Sequence, residues 1–100
     1  MKMKFSIGDV VISVAGHDVG SIYVVVGECQ DRILLSDGNI KKLEDPKKKN
    51  PAHVILMTKG EPQVTKMITE QTGPFYRPAK THNAFIRKLI KTAASQTNNN

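Results

Sequence analysis

The sequence has almost none of the residues that build covalent or metal-based stability. Its 100 residues include a single cysteine, Cys29, which excludes an internal disulfide and a cysteine-based zinc site. The histidines His17, His53 and His82 are scattered, and no spacing typical of a metal site occurs. We therefore expect neither a metal nor a cofactor, and a lone thiol fits a reducing compartment.

Long apolar runs are also missing. No stretch approaches the roughly 20 apolar residues that a membrane-spanning helix needs. The first four residues, Met1-Lys2-Met3-Lys4, are basic but lack the apolar core of a signal peptide. We therefore expect a cytoplasmic protein with no membrane partner.

Acidic residues are absent after Glu70. The chain has 15 Lys and Arg against 9 acids, a net charge of +6. Up to Glu70 there are 10 basic and 9 acidic residues, a balance of 10 − 9 = +1, whereas the remainder has 5 basic residues and no acid. Such an excess favours a polyanionic partner, and in a chain this short it favours nucleic acid.

Aromatic residues are few, with five in all and no tryptophan, so the core must consist mainly of Val, Ile and Leu. These residues alternate with a period of two, as in half-buried strands, and they are separated by Gly- and Asp-Gly-containing turns. Five strands are predicted, at residues 9–14, 21–28, 32–35, 40–43 and 52–58. Five short strands in so short a chain predict a mainly β fold, a small barrel of SH3-like type.

The last forty residues follow a different pattern. Residues 61–80 are predicted to form an irregular connector, and Thr81 to cap a helix that ends at Ala94. Residues 95–100 are polar and predicted to be disordered. The helix has an apolar stripe, which is either core or a surface for a partner: Phe85, Ile86, Leu89, Ile90 and Ala93.

The first half of the chain resembles a known motif. The residues that carry the likeness are, in order, Gly8-Asp9, Gly16, Gly20, a Val-rich second strand, Asp37-Gly38, Lys41-Lys42-Leu43-Glu44 and Pro46-Lys47-Lys48-Lys49, ending near His53. This series resembles the KOW motif of RNA-binding small barrels. It is similar to that of small bacterial KOW-domain proteins and of a eukaryotic and archaeal large-subunit ribosomal protein. The resemblance implies residues 1–60 as a KOW barrel and RNA, above all ribosomal RNA or the ribosome, as partner.

The lysine group is the first candidate site: Lys41, Lys42, Lys47, Lys48 and Lys49. Clustered ammonium groups release counterions from an RNA backbone, although a solvated loop is the alternative interpretation. The loop of Gly16, His17 and Gly20 is the second candidate, with a purely structural turn as its alternative. Here the chain departs from the family, which commonly has basic residues where Val19 and Ser21 stand.

Two further groups of cations lie in the C-terminal part. Arg77 and Lys80, beside Phe75 and Tyr76, could combine charge with base stacking. The alternative is that Phe75 and Tyr76 pack the connector onto the barrel. The predicted polar face of the helix, with Arg87, Lys88 and Lys91, could lie on RNA or simply face water.

No arrangement of residues indicates catalysis or a small-molecule substrate, since an activated nucleophile and a phosphate-binding loop are both missing. The sequence therefore predicts an RNA-binding protein. The alternative is a non-catalytic protein–protein adaptor associated with the translation or transcription machinery, since small barrels serve both uses. Double-stranded DNA binding, without a recognition helix, would be weak and nonspecific.

Overall fold

The computed structural model describes residues 4–43, 45–62, 65–66 and 80–97. Its five strands are β1 (Val10–Ser13), β2 (Ile22–Cys29), β3 (Arg32–Ser36), β4 (Lys47–Lys49) and β5 (Val54–Thr58), followed by the helix α1 (Lys80–Thr97). The prediction of a mainly β fold of about five strands and a C-terminal helix is confirmed. Among the described helices, none is both long and apolar enough to cross a membrane.

The strands form one antiparallel sheet in the order β4-β3-β2-β1-β5, so β4 and β5 are its two edges. The central strand β2 pairs with β1 through its first residues and with β3 through the rest of its length. The tight turn after β2 lies at Gln30 and Asp31, where Gln30 has a φ of 59°. Cys29, one residue beyond the predicted end of this strand, belongs to β2 itself.

The sheet is strongly curled. In a flat sheet β4 and β5 would lie about 19 Å apart, four inter-strand spacings. Residues 50–53 are all that connects them, and Pro51–His53 of these form a compact 3-10 turn that rises only about 2 Å per residue. The edges must therefore approach each other, and Lys49 Nζ on β4 indeed lies 2.8 Å from the Ala15 carbonyl oxygen beyond β1.

Alternate residues of the strands build two cores on the two faces of this curled sheet. The inner core consists of Phe5, Val11, Tyr23, Val25, Ile33, Leu35 and Val54. The outer face carries the core that α1 covers, made of Val10, Val24, Val26, Ile86 and Ala93. Phe85, Leu89 and Ile90 pack against this second core, so the apolar stripe of the helix is core of this fold.

The bounds of α1 differ from the sequence-based expectation at both ends. Thr81 lies within the helix, so its predicted role as the cap is wrong. Ser95–Thr97, predicted as disordered tail, continues the helix. The polar residues of this last turn do not stop the helix, because none of them is Gly or Pro and the helix is already anchored by Ala93.

The segment after β3 is the main error of the sequence-based prediction. Residues 40–43, predicted as a strand, form an irregular loop in which Ile40 is 82% exposed. The Asp37 Oδ1 atom accepts hydrogen bonds from the Asn39 and Lys41 amides and so curls the chain. The predicted turn at Asp37-Gly38 does form, with a Gly38 φ of 70°.

The fourth strand instead consists of the three lysines, Lys47–Lys49, which the sequence placed in a loop. Pro46 and Pro51 flank these lysines, and proline, which lacks an N–H donor, is found at sheet edges and not in central strands. They do not prevent strand pairing, because Pro46 precedes β4, Pro51 follows it, and β4 is an edge strand with one partner.

Gly8-Asp9, the start of the KOW-like series, ties the beginning of β1 to the segment that follows β5. The Asp9 carboxylate is 1% exposed and accepts hydrogen bonds from the Ser6 amide at 2.9 Å and the Gly60 amide at 2.7 Å. Gly60 thereby crosses directly over Gly8. A Cβ atom on Gly60 would overlap the Gly8 carbonyl carbon and lie 2.7 Å from the Asp9 amide nitrogen, so residue 60 must be glycine for steric reasons.

Replacing Gly60 by Ala is expected to destabilise the protein by about 3 kcal/mol, because backbone rather than a flexible side chain must move. Gly20→Ala is the matched control. Gly20 has a φ of 92° but nothing within 4 Å of its would-be Cβ, so only backbone strain of about 1 kcal/mol is expected. Urea denaturation of both variants measures the difference, and equal losses would contradict the close crossing at Gly60.

Candidate functional site

The Asp18 carboxylate lies at the centre of the candidate site. It belongs to the loop between β1 and β2, and its Oδ1 atom lies 2.6 Å from Lys49 Nζ and 2.8 Å from Ser13 Oγ. Its Oδ2 atom accepts a hydrogen bond from the Tyr23 hydroxyl at 2.9 Å and lies 3.0 Å from Lys47 Nζ. One carboxylate thus joins the glycine loop, both strands beside it and β4.

The loop can reach β4 because its two glycines permit a tight shape. Gly16 and Gly20 have φ values of 91° and 92°, which other L-residues rarely adopt. The Gly20 and Ser21 amides donate to the Ser13 and Asp18 carbonyls and close the loop at its base. Between the glycines, His17 and Val19 are exposed at the loop tip.

The electrostatics of this cluster favour the charged carboxylate. Burial alone raises the pKa of Asp18, but the hydrogen bonds from Lys49, Ser13, Lys47 and Tyr23 outweigh it and hold the pKa well below its ordinary value of 3.8. Burial and the hydrogen bond to Asp18 raise the pKa of Tyr23 from 10.0 to about 12. Asp18 is therefore a fixed negative charge and Tyr23 a neutral donor at neutral pH.

The three lysines of β4 have different roles. Lys47 and Lys49 lie opposite Leu35 and Ile33 of the inner core, and both turn towards Asp18. The Lys49 side chain is 8% exposed and that of Lys47 30% exposed, so Lys49 acts as a buried structural cation. Lys48, on the other face opposite Leu34, is exposed.

The other two lysines of the predicted group lie in the loop between β3 and β4. Lys42 is exposed and Lys41 half-buried, beside the exposed Ile40. This loop is held against α1, because the Leu43 amide donates to Asn83 Oδ1 at 3.0 Å. All five predicted lysines therefore belong to β4 or to the loop that leads into it.

The helix cations are placed as follows. Arg87 donates to the Gly38 carbonyl oxygen at 2.5 Å, so it helps to attach α1 to the loop, while Lys88 and Lys91 are exposed. Lys80 is the first residue of α1. Arg77, with its predicted stacking neighbours Phe75 and Tyr76, lies outside the described residues.

Sequence reasoning missed the three residues that organise the site: Ser13, Asp18 and Tyr23. Tyr23 lies in a predicted strand and Asp18 in the predicted glycine loop, and neither position by itself indicates an ion-pair cluster. The available signal was the lone acid between the two glycines in a chain with a lysine run, which is a natural ion partner.

Within the described residues, no group of three His, Cys, Asp or Glu side chains could hold a metal ion. No buried side-chain nitrogen or oxygen among them lacks a hydrogen-bond partner, so the Asp18 cluster is satisfied by its own residues. No protein-family model matches the chain, and no curated protein matches it.

Proposed function

We propose that this protein binds structured RNA, ribosomal RNA above all, through the surface formed by the glycine loop and β4. The observation that carries the proposal is the Asp18 cluster, because it joins two candidate sites that lie about thirty residues apart in the sequence. The exposed tip at His17 and the exposed Lys48 both project from elements that this cluster fixes together.

The charge of this surface supports an anionic partner. Asp18 offsets one of the three positive charges of β4, and the exposed Lys42 adds to the two that remain. Lysine meets phosphate as a flexible point charge and reads no bases. Recognition would then depend on the shape of the RNA, which a fixed loop beside a basic strand can follow.

The resemblance to the KOW motif points the same way, and the cytoplasm remains the expected compartment. Crosslinking by ultraviolet light in cells, with sequencing of the attached RNA, tests the partner. Enrichment of one ribosomal RNA segment is the expected result. Absence of crosslinks above background, from folded and expressed protein, would contradict RNA binding.

The double substitution Lys42→Gln, Lys48→Gln is expected to weaken binding of a labelled stem–loop RNA. Removing one lysine–phosphate interaction should reduce the slope of log affinity against log salt by about 0.7, so the pair should reduce it by about 1.4. Fluorescence anisotropy over a series of KCl concentrations measures both quantities. Lys49 is left intact because its ammonium group supports Asp18 and its loss would confound binding with unfolding.

Two control variants accompany this pair. Lys4→Gln removes one positive charge from the N-terminal residues, and Ile55→Gln changes an exposed residue of β5 without altering charge. Both should keep the wild-type salt slope. If Lys4→Gln lowers the slope as much per charge as the double variant does, binding is diffuse and the proposed surface is wrong.

The adaptor is the second candidate function, and one observation favours it. β4 is protected from pairing with other chains by its three lysines, whereas the opposite edge, β5, has no charged residue. Ile55 and Leu56 of β5 are 57% and 42% exposed. Such an edge suits an added strand from a partner, and it becomes the leading site if the crosslinking experiment detects no RNA.

A further inference from the structure

A cavity of about 270 Å³ opens between α1 and the end of the sheet where β1 begins and β5 ends. It lies away from the Asp18 cluster, which follows the other end of β1. Val10, on its wall, and Ser13, beside Asp18, are about 10 Å apart along the strand. Val10 belongs to the core that α1 covers, so the cavity lies on the outer face of the sheet, the same face to which Lys48 belongs through its pairing with Leu34. RNA bound at the exposed Lys48 would therefore share a face with the cavity.

The inner wall of the cavity is apolar and fixed. Val10 and Ala93 are buried at 3% exposure, and the half-buried Phe85 and Leu89 complete the wall from the helix. Gly60, held against Gly8 by the Asp9 carboxylate, forms the adjoining end. Because its apolar lining belongs to the core that α1 covers, the cavity is a preformed feature of the fold.

The rim has the opposite character. Lys59 and Lys88 are exposed and both line the opening, while Thr58, Thr92 and Gln96 supply hydroxyl and amide groups. Glu61 lines it too. The cavity thus combines an apolar wall, which includes the aromatic ring of Phe85, with the cations Lys59 and Lys88 at its opening. This combination suits a flat, largely apolar group that is attached to an anionic chain.

The size of the cavity restricts that group. Sites for whole cofactors or drug-sized ligands occupy about 300–1,000 Å³, so a cavity of about 270 Å³ lies at the low end of this range and has room for a single ring system. Resting on the function proposed above, we infer that the cavity receives one unpaired nucleobase of the bound RNA, with Lys59 and Lys88 meeting the neighbouring phosphates. The base would contact Phe85 and use the polar rim for its hydrogen-bonding edge.

Filling the cavity tests this inference. Thr92→Trp places a large side chain at the rim from an exposed helix position, and Ser95→Trp adds the same group to an exposed position that does not line the cavity. The probes are a stem–loop RNA with unpaired loop bases and a fully paired blunt RNA duplex. Thr92→Trp should lower the affinity for the stem–loop about tenfold and leave the duplex affinity unchanged.

Ser95→Trp should change neither affinity. Circular dichroism checks that both variants fold, and Lys88→Gln offers a second test that leaves the helix intact. It should reduce the salt slope for the stem–loop but not for the duplex. If wild-type protein binds neither probe, the proposed function itself fails. If wild type, Thr92→Trp and Lys88→Gln all bind the stem–loop with the same affinity and the same salt slope, the cavity inference is overturned. The proposed function then stands.

Discussion

Asp18→Asn is expected to destabilise the fold by about 4 kcal/mol. The substitution keeps the size of the side chain but removes its charge, so Lys49, whose side chain is 8% exposed, becomes a buried cation without a counter-charge. Breaking a buried pair by removing one partner typically costs about 3–5 kcal/mol. Lys47 also loses its ion pair, so the connection between the glycine loop and β4 weakens as a whole.

The pH dependence of this loss has a definite sign. The pKa of Asp18 is lowered on folding, so its contribution to stability is complete above the ordinary value of 3.8 and is lost as the pH falls through the lower native value. Wild type should therefore exceed Asp18→Asn in stability by a constant amount above about pH 5, where the carboxyl is ionised in both states. Below about pH 4 the difference should shrink.

Urea denaturation at pH 7 and in steps from pH 5 to pH 2 measures both effects. Asp45→Asn is the control, since Asp45 is an exposed acid two residues before β4 and its loss should cost at most about 0.5 kcal/mol. A double-mutant cycle with Lys49→Met isolates the coupling between the two charges. A cost for Asp18→Asn as small as that for Asp45→Asn would show that the ion pair does not hold the loop.

The strands that could be predicted are those in which local pattern and tertiary environment agree. β2 is buried on both faces through Tyr23–Val26, and β3 buries Ile33 and Leu35 with the less buried Leu34 between them. Apolar periodicity predicts such strands because their buried residues are the apolar ones, so the burial pattern can be read from the sequence. The C-terminal helix was predictable for the same reason, from the spacing of Ile86 and Ala93.

β4 and the Asp18 cluster could not be predicted this way. Three consecutive lysines have low strand propensity and no apolar period, and Lys49 is buried only because the curled sheet brings it to a carboxylate 31 residues earlier. The strand predicted at residues 40–43 failed for the converse reason. It has an apolar residue at each end, Ile40 and Leu43, but a hydrogen bond from the Leu43 amide to Asn83 Oδ1, forty residues later, holds it as a loop.

Ile86→Ala is expected to cost about 3 kcal/mol, because Ile86 is fully buried between the helix and the outer face of the sheet. Removing its methyl groups leaves a cavity beside Val10 and Val24, which the strand pairing keeps from collapsing. The thermal midpoint should fall by roughly 12–24 °C for a domain of this size. Ile40→Ala makes the same chemical change at an 82% exposed position and should cost almost nothing.

Comparing these two isoleucine variants also tests whether the apolar stripe of α1 is core or a binding surface. If the stripe is core, Ile86→Ala lowers the midpoint and Ile40→Ala does not, whatever partner is present. If the stripe is instead an exposed binding surface for another protein, Ile86→Ala should leave the thermal midpoint of the isolated chain unchanged. That result would separate α1 from the sheet and remove the wall of the cavity to which we assign a nucleobase. The proposed RNA contacts on β4 would not depend on it, because Asp18 fixes that strand from the opposite face of the sheet.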